Sequence, residues 1–331
     1  MKHKGLIVTV IALFLMVAAS LVLKEGKKQP QLASKRVVKV GILQLVTHEA
    51  LDQIAQGIKD ELKKHHQPEQ KVSITFMNAE GDQSKIQTMS KQLVKTNDIV
   101  VGIATPAAQG LAAATETIPV VMSAISDPVG AKLVKHLDRP EANVTGLSNK
   151  VPVRQTVDLI KEMTPQVKRV GVLYASSEDN SISQVKDFTA LAEKQGLEVL
   201  AYAVPSTNEV TTTMSVMTEK VDAIFIPQDN TIASAFSAVI AASNAAQLPV
   251  YSSVDTMVEQ GSLASISQSQ YQLGVETARQ VLQLMAGKEV SEVPVEVVDD
   301  GKPFLNLKAA RHLGLMISKD LLKRSDLTGK Q

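Results

Sequence analysis

The stretch Ile99-Val100-Val101-Gly102-Ile103-Ala104-Thr105-Pro106-Ala107-Ala108-Gln109 decides how the chain folds. Its first half is a run of β-branched residues around one glycine, the mark of a strand buried on both faces of a parallel sheet. The Thr-Pro pair and the alanines behind it predict a helix start, with Thr105 as N-cap and Pro106 at the first helical position. A strand that turns directly into a helix leaves unpaired backbone N–H groups at the strand's carboxyl end, and these carry partial positive charge. Such a turn suits a carboxylate or phosphate, although an ordinary βα connection with no ligand reads the same way.

The pattern repeats on both sides of this stretch. Residues 37–46 (VVKVGILQLV) predict a strand. Residues 48–65 predict an amphipathic helix with Leu51, Ile54, Ile58 and Leu62 on one face. A strand at 72–77, a helix at 84–96 and a strand at 119–124 complete one series. Turn chemistry at Asp138-Arg139-Pro140-Glu141-Ala142-Asn143 and a short extended piece, VTGL at 144–147, interrupt it. The alternation then restarts with helices at 153–163, 181–195, 209–219 and an Ala-rich one at 232–246, and strands at 169–174, 197–204, 222–226 and 248–252. Strand–helix alternation at this spacing predicts parallel sheets covered on both faces and joined by right-handed crossovers. Two passes predict two doubly wound α/β lobes.

The tail adds a strand at 261–266, a helix at 273–285, a strand at 293–297 and a helix at 306–313. If the helix at 273–285 packs on the first lobe, the chain passes between lobes near Leu147, Gln268 and Pro294, a three-crossover hinge. The expected division is a leader and tether over 1–35, one lobe from 36–147 and 268–293, and a second from 148–267 and 294–331.

Composition narrows the function. Among 331 residues, 35 Lys and Arg stand against 34 Asp and Glu, and a net charge of +1 offers no nucleic-acid surface. Aromatics make up 3% and tryptophan is absent, which argues against a base-stacking platform. The chain has no cysteine, which excludes disulfides, thiolate catalysis and thiolate metal sites. None of the six histidines falls into a metal-binding pair such as HExxH, and His65-His66 reads as a solvated helix end. No metal or cofactor is expected. Lys2-His3-Lys4 precedes an uncharged run from Gly5 to Leu23, which as a helix spans roughly 28 Å, about one bilayer core. It reads as an uncleaved membrane anchor, or as a signal peptide with Ala18-Ala19-Ser20 as a poor cleavage site. Either way the globular part is expected outside the cytoplasmic membrane.

Ligands in open α/β sheets bind beyond the carboxyl ends of the strands. Those ends are polar throughout: Gln44–His48 after the first strand, Thr105-Pro106, Ser126-Asp127, Glu178-Asp179-Asn180-Ser181, Gln228-Asp229-Asn230 and Ser252-Ser253-Val254-Asp255. Each segment is also ordinary cap and turn chemistry. Carboxylates gathered with helix N-termini around a cleft suit a zwitterion, its anion on the N–H groups and its ammonium on the acids. Leu45, Val46 and Pro106 are candidates for an aliphatic wall against a ligand side chain. An acid/base pair is the enzymatic alternative. It lacks support, because no nucleophile motif, P-loop or dinucleotide fingerprint accompanies it.

The segments GIATPAAQGLAAATETIPVVMSAISDPVGAKLV, NVTGLSN, RVGVLYASSEDNS, VDAIFIPQDNTIASA and FLNLKAA resemble the ABC-transporter substrate-binding proteins of the tryptophan/tyrosine-binding type. The resemblance runs from about Val37 to Leu315. GSLASISQSQYQLGVETARQVLQLMAGKEV also resembles periplasmic sugar-binding proteins of the ribose type. It implies a periplasmic-binding-protein-like type I fold and no enzymatic activity. A monomer is expected to close on an amino acid, tryptophan or another aromatic, and deliver it to a membrane permease and its ATPase. An extracellular sensor for an amino acid, or a binder of a sugar or nucleoside, is the alternative. The resemblance further implies that Thr105 and the N–H groups after it take the ligand carboxylate, assisted by Ser126. Asp229 and Asp255 would hold the ligand's polar end, Gln268 would make a hinge-side contact, and Asn180 lies in the family's NS turn; Asp127 and Asn230 join the candidate set from their strand-end positions alone. Relatives in Gram-positive bacteria carry a lipid-modified cysteine; this chain has none, and the 5–23 helix is the expected substitute.

Overall fold

A computed structural model describes residues 32–64, 70–299 and 301–329. The expected membrane anchor lies outside the described residues, and among these no helix is long and apolar enough to cross a membrane.

The chain builds two α/β lobes. The first runs β1 (Val37–Gln44), α1 (Glu49–Lys64), β2 (Lys71–Asn78), α2 (Gln83–Thr96), β3 (Ile99–Ile103), α3 (Thr105–Ala114), β4 (Val120–Ile125) and β5 (Val144–Asn149). The second runs α4 (Val153–Met163), β6 (Arg169–Ala175), α5 (Asp179–Lys194), β7 (Glu198–Val204), α6 (Val210–Thr218) and β8 (Ala223–Ile226). It continues with α7 (Asn230–Ser234), α8 (Phe236–Ala245), β9 (Val250–Ser252), α9 (Asp255–Glu259) and β10 (Ala264–Ser267). Then α10 (Gln270–Met285) and β11 (Glu296–Val298) return to the first lobe. β12 (Lys302–Asn306), α11 (Leu307–His312), α12 (Lys319–Lys323) and β13 (Asp326–Thr328) finish the second.

The first sheet has the order β11-β5-β4-β3-β1-β2 and the second β13-β12-β10-β9-β8-β6-β7. Every residue of β3 is buried, and it pairs in parallel with β1 on one side and β4 on the other. That is why its sequence is a continuous apolar run rather than an alternation. The second sheet departs from the all-parallel expectation at β12, which pairs antiparallel to β10. Only two residues separate β10 from α10, whereas β12 enters from β11 across the hinge and so meets β10 from its far end.

Three further expectations are corrected. The first lobe does not end at 147, because β5 extends to Asn149 and pairs with β4 through Ser148. The segment from 294 belongs to the first lobe, since Glu296, Val297 and Val298 pair with Leu147, Ser148 and Asn149. The chain therefore passes between lobes at 150–152, 268–269 and 299–301. The Ala-rich helix is two helices, broken at Ala235, whose N–H turns back to the Ile232 carbonyl.

α10 lies across α1, and the contact depends on two glycines. A Cβ on Gly57 would fall 2.2 Å from the Tyr271 carbonyl oxygen, and one on Gly274 would fall 2.1 Å from that of Ile54. Absent side chains let the two backbones touch, which no other residue permits. Thr277 on α10 also meets Ser123 of β4 through a 2.7 Å hydroxyl–hydroxyl hydrogen bond. The helix is thus fixed to the first sheet, with its N-terminus at Gln270 aimed toward the gap between lobes.

Candidate functional site

The carboxyl ends of both sheets face one another across a small cavity of about 50 Å³. β1 delivers His48, β3 delivers Ala104 and Thr105, β4 delivers Ala124 and Ser126, and β5 delivers Asn149. From the second lobe come Asn180 after β6, Gln228, Asp229 and Asn230 after β8, and Val254 after β9. Ala50, Leu51 and Ile54 of α1 and Met257 of α9 make the apolar side. Two larger openings flank the cavity. An outer cleft of about 790 Å³ lies at the β2 and β7 edges, and a groove of about 730 Å³ lies along the hinge.

The α3 turn differs from its expected form. Thr105 is the first helical residue, and the N-cap is Ala104, with φ 75° and no side-chain cap. Ala124, at the irregular end of β4, also has a positive φ of 56°. Non-glycine residues held in this region cost about 1–3 kcal/mol, and both lie in the cavity wall. The Ala104 conformation turns the start of α3 toward the cavity, where its first N–H groups have no intrahelical acceptor.

The acidic residues are largely committed to the protein itself. Asp229 caps α7 by accepting from Ile232 N–H at 2.8 Å, while its other oxygen accepts from Ala175 N–H at 2.6 Å. Burial, reinforced by the neighbouring Glu178 carboxylate, pushes its pKa up to about 7. Glu178 is buried too, and clamps the same helix start. One oxygen accepts from Asn230 N–H at 3.1 Å and Asn230 Nδ2 at 2.6 Å; the other accepts from Thr231 N–H and hydroxyl, both at 2.8 Å. Asp255 lies outside the cavity wall. It accepts from Thr256 N–H at 2.8 Å and from Gln270 N–H at 3.3 Å, joining α9 to the start of α10, and burial raises its pKa to about 6.

The remaining expected residues are distributed as follows. Thr105, Ser126, Asn180, Asp229 and Asn230 come together around the cavity. Leu45, Val46 and Pro106 line the outer cleft, which also reaches Thr105 and Asn230. Asp127 lies on the hinge-side groove, where it accepts from Gly130 N–H at 2.8 Å and from the Ser183 hydroxyl of the other lobe at 3.2 Å. Gln268 occupies the second crossover, outside the cavity wall.

Several cavity residues were not among the expected ligand contacts. His48 bridges the lobes, its Nε2 3.2 Å from Asn230 Oδ1. Burial lowers its pKa, opposed by the hydrogen bond to Asn230 and by Glu178, Asp52 and Glu49. Its position one turn after the first strand was the available signal. Asn149 ends a strand whose six residues are all buried, so only the strand-end rule, applied to VTGLSN, finds it. Gln270 and Met257 reach the cavity through helix packing, which leaves no local sequence signature.

Comparison with known proteins agrees with this architecture. The family model described as "ABC transporter substrate binding protein" matches residues 39–328. A tyrosine-binding protein of Clostridioides difficile is 32% identical over 302 residues, 90% of this chain and 88% of the relative. An ABC domain from Streptococcus pneumonia, solved in complex with L-Trp, is 52% identical and superposes with a TM-score of 0.85, covering 88% of this chain and 99% of that one. The ligand-free, open structure of a substrate binding protein with adhesive properties from Clostridium difficile is 32% identical, with a TM-score of 0.68, covering 89% of this chain and all of that one. These neighbours share the type I periplasmic-binding-protein architecture of two α/β lobes. With a match that spans both lobes and all three crossovers, the chain belongs to the ABC transporter substrate-binding protein family.

Proposed function

We propose that the protein is the extracytoplasmic solute receptor of an ABC importer, which closes on an aromatic amino acid, tryptophan foremost, and delivers it unchanged to a permease and its ATPase. The observation that carries this reading is the inter-lobe cavity, which combines the start of α3 with buried polar atoms that have no protein partner. Such atoms are costly unless a ligand or water satisfies them. The tyrosine-binding relative and the L-Trp complex point to the ligand class.

Magnitudes favour a large apolar side chain. A carboxylate at the α3 N-terminus contributes about 0.3–1 kcal/mol exposed and up to about 2 when partly buried. Micromolar affinity needs about 8 kcal/mol. Burying an aromatic side chain of about 150–250 Å² supplies roughly 4–6 kcal/mol more, so the head group alone is insufficient. Leu51, Ile54, Val254 and Met257 provide the apolar surface. A ring needs more room than about 50 Å³, so the lobes part slightly further to seat it. Only the closed form offers both sets of contacts, so ligand shifts the population toward it, and the permease reads that shape.

Calorimetry on the purified full-length protein in detergent tests this with tryptophan, phenylalanine, tyrosine, leucine and ribose. The aromatic amino acids bind one per chain and more tightly than leucine. Binding of ribose with no response to any amino acid refutes the proposal.

A further inference from the structure

Three polar atoms in the cavity wall are buried and have no hydrogen-bond partner: Asn180 Oδ1, Asn149 Oδ1 and Ser126 Oγ. The Asn180 amide is oriented by its neighbours. Its Nδ2 donates at 2.8 Å to the Gln228 carbonyl oxygen, which can only accept, so the atom left over is a carbonyl oxygen in want of a donor. Asn180 and Asn149 are 8% and 2% exposed, so bulk water does not supply one.

The carboxylates near the cavity are in the opposite condition. Both oxygens of Asp229 accept backbone N–H groups, both of Asp255 do the same, and Glu178 accepts four donors. Turning any of them toward a ligand would orphan backbone groups at the start of α7, α9 or α10. An ammonium is a compact group with three donors and no acceptor. The cavity has three unpartnered oxygens, two from the first lobe and one from the second.

Resting on the reading above that the ligand is an amino acid, we infer that its α-ammonium is gripped by neutral oxygens, Asn180 Oδ1 from one lobe with Asn149 Oδ1 and Ser126 Oγ from the other, and not by the acidic side chains. The cradle spans the gap, so the ammonium is satisfied only when the lobes close. Ligands that lack an ammonium lose this grip while keeping the contacts of the ring and carboxylate.

The test compares L-tryptophan with indole-3-propionate, which has the ring and carboxylate but no amine, by calorimetry on the full chain. Asn180→Leu and Asn149→Leu each weaken tryptophan about tenfold, the effect of losing a charge-assisted hydrogen bond. Each leaves indole-3-propionate within about twofold of wild type, as expected when only the missing partner matters. Asp255→Asn, whose amide leaves one backbone N–H at the α9–α10 junction unpaired, changes both ligands by the same factor. Circular dichroism melts confirm folding, and either leucine variant alone suffices if the other does not fold. Equal weakening of both ligands, or loss of tryptophan alone in Asp255→Asn, overturns the inference. Wild-type protein that binds no amino acid overturns the reading beneath it as well, whereas wild-type binding with unaffected leucine variants overturns this inference only.

Discussion

His48 belongs to one lobe and Asn230 to the other, and the 3.2 Å contact between their side chains exists only while the lobes are together. Replacing His48 by alanine removes it. A neutral hydrogen bond contributes about 0.5–1.5 kcal/mol net, so the closed-to-open ratio falls roughly two- to twelvefold, and apparent affinity with it. The substitution also changes the response to pH. Burial holds the imidazole below its ordinary pKa of 6.5 in the closed form, even though Glu178, Asp52 and Glu49 face it. Below about pH 6.5 the open form therefore takes up a proton that closure must expel. The His48 contribution is present above that pH and is lost as pH falls. From pH 6.5 to 5.5 the wild type loses up to about fivefold in affinity from this source. Titration calorimetry with tryptophan from pH 5 to 8 reads both effects. In His48→Gln the slope below pH 6.5 flattens. An identical pH profile in wild type and His48→Gln, or unchanged affinity in His48→Ala, refutes the latch.

Three further outcomes follow from the geometry. Gly274→Ala forces a methyl to within 2.1 Å of the Ile54 carbonyl oxygen, so α1 and α10 must separate; urea denaturation shows a loss of about 1–3 kcal/mol. Ala104→Gly relieves a φ of 75° at the wall of the cavity, and the same assay shows a gain of about 1 kcal/mol after the entropic cost of glycine. The Asp229 carboxyl, pushed up to about 7, contributes stability that is complete below its ordinary 3.8 and is lost as pH rises through about 7. Carbon-13 titration of the side chain finds that midpoint, and Glu178→Gln lowers it.

The order of elements was legible in the sequence because parallel strands buried on both faces carry continuous apolar runs, and β1, β3, β4, β6 and β8 all do. Turn positions were legible for the same reason: the polar residues after β3, β4, β6 and β8 interrupt those runs and end in the site. What stayed hidden is long-range. β12 and the edge strand β13 are short, and their pairing across a crossover leaves no periodic signal. The α3 cap was misplaced because nothing in Ala104 signals a left-handed backbone; the fold imposes it. The acids were assigned to the ligand by charge, yet two of them occupy helix starts whose N–H groups claim their oxygens. Which carboxylate is free depends on neighbours distant in sequence, such as Ala175 for Asp229 and Gln270 for Asp255.

A crystal structure of the protein grown with L-tryptophan tests the central claim most directly. It is expected to show the amino acid enclosed between the lobes, with its carboxylate at the N-terminus of α3 and its ammonium within hydrogen-bonding distance of Asn180 Oδ1. Tryptophan lodged in the hinge-side groove, or closed lobes with nothing between them, would contradict it.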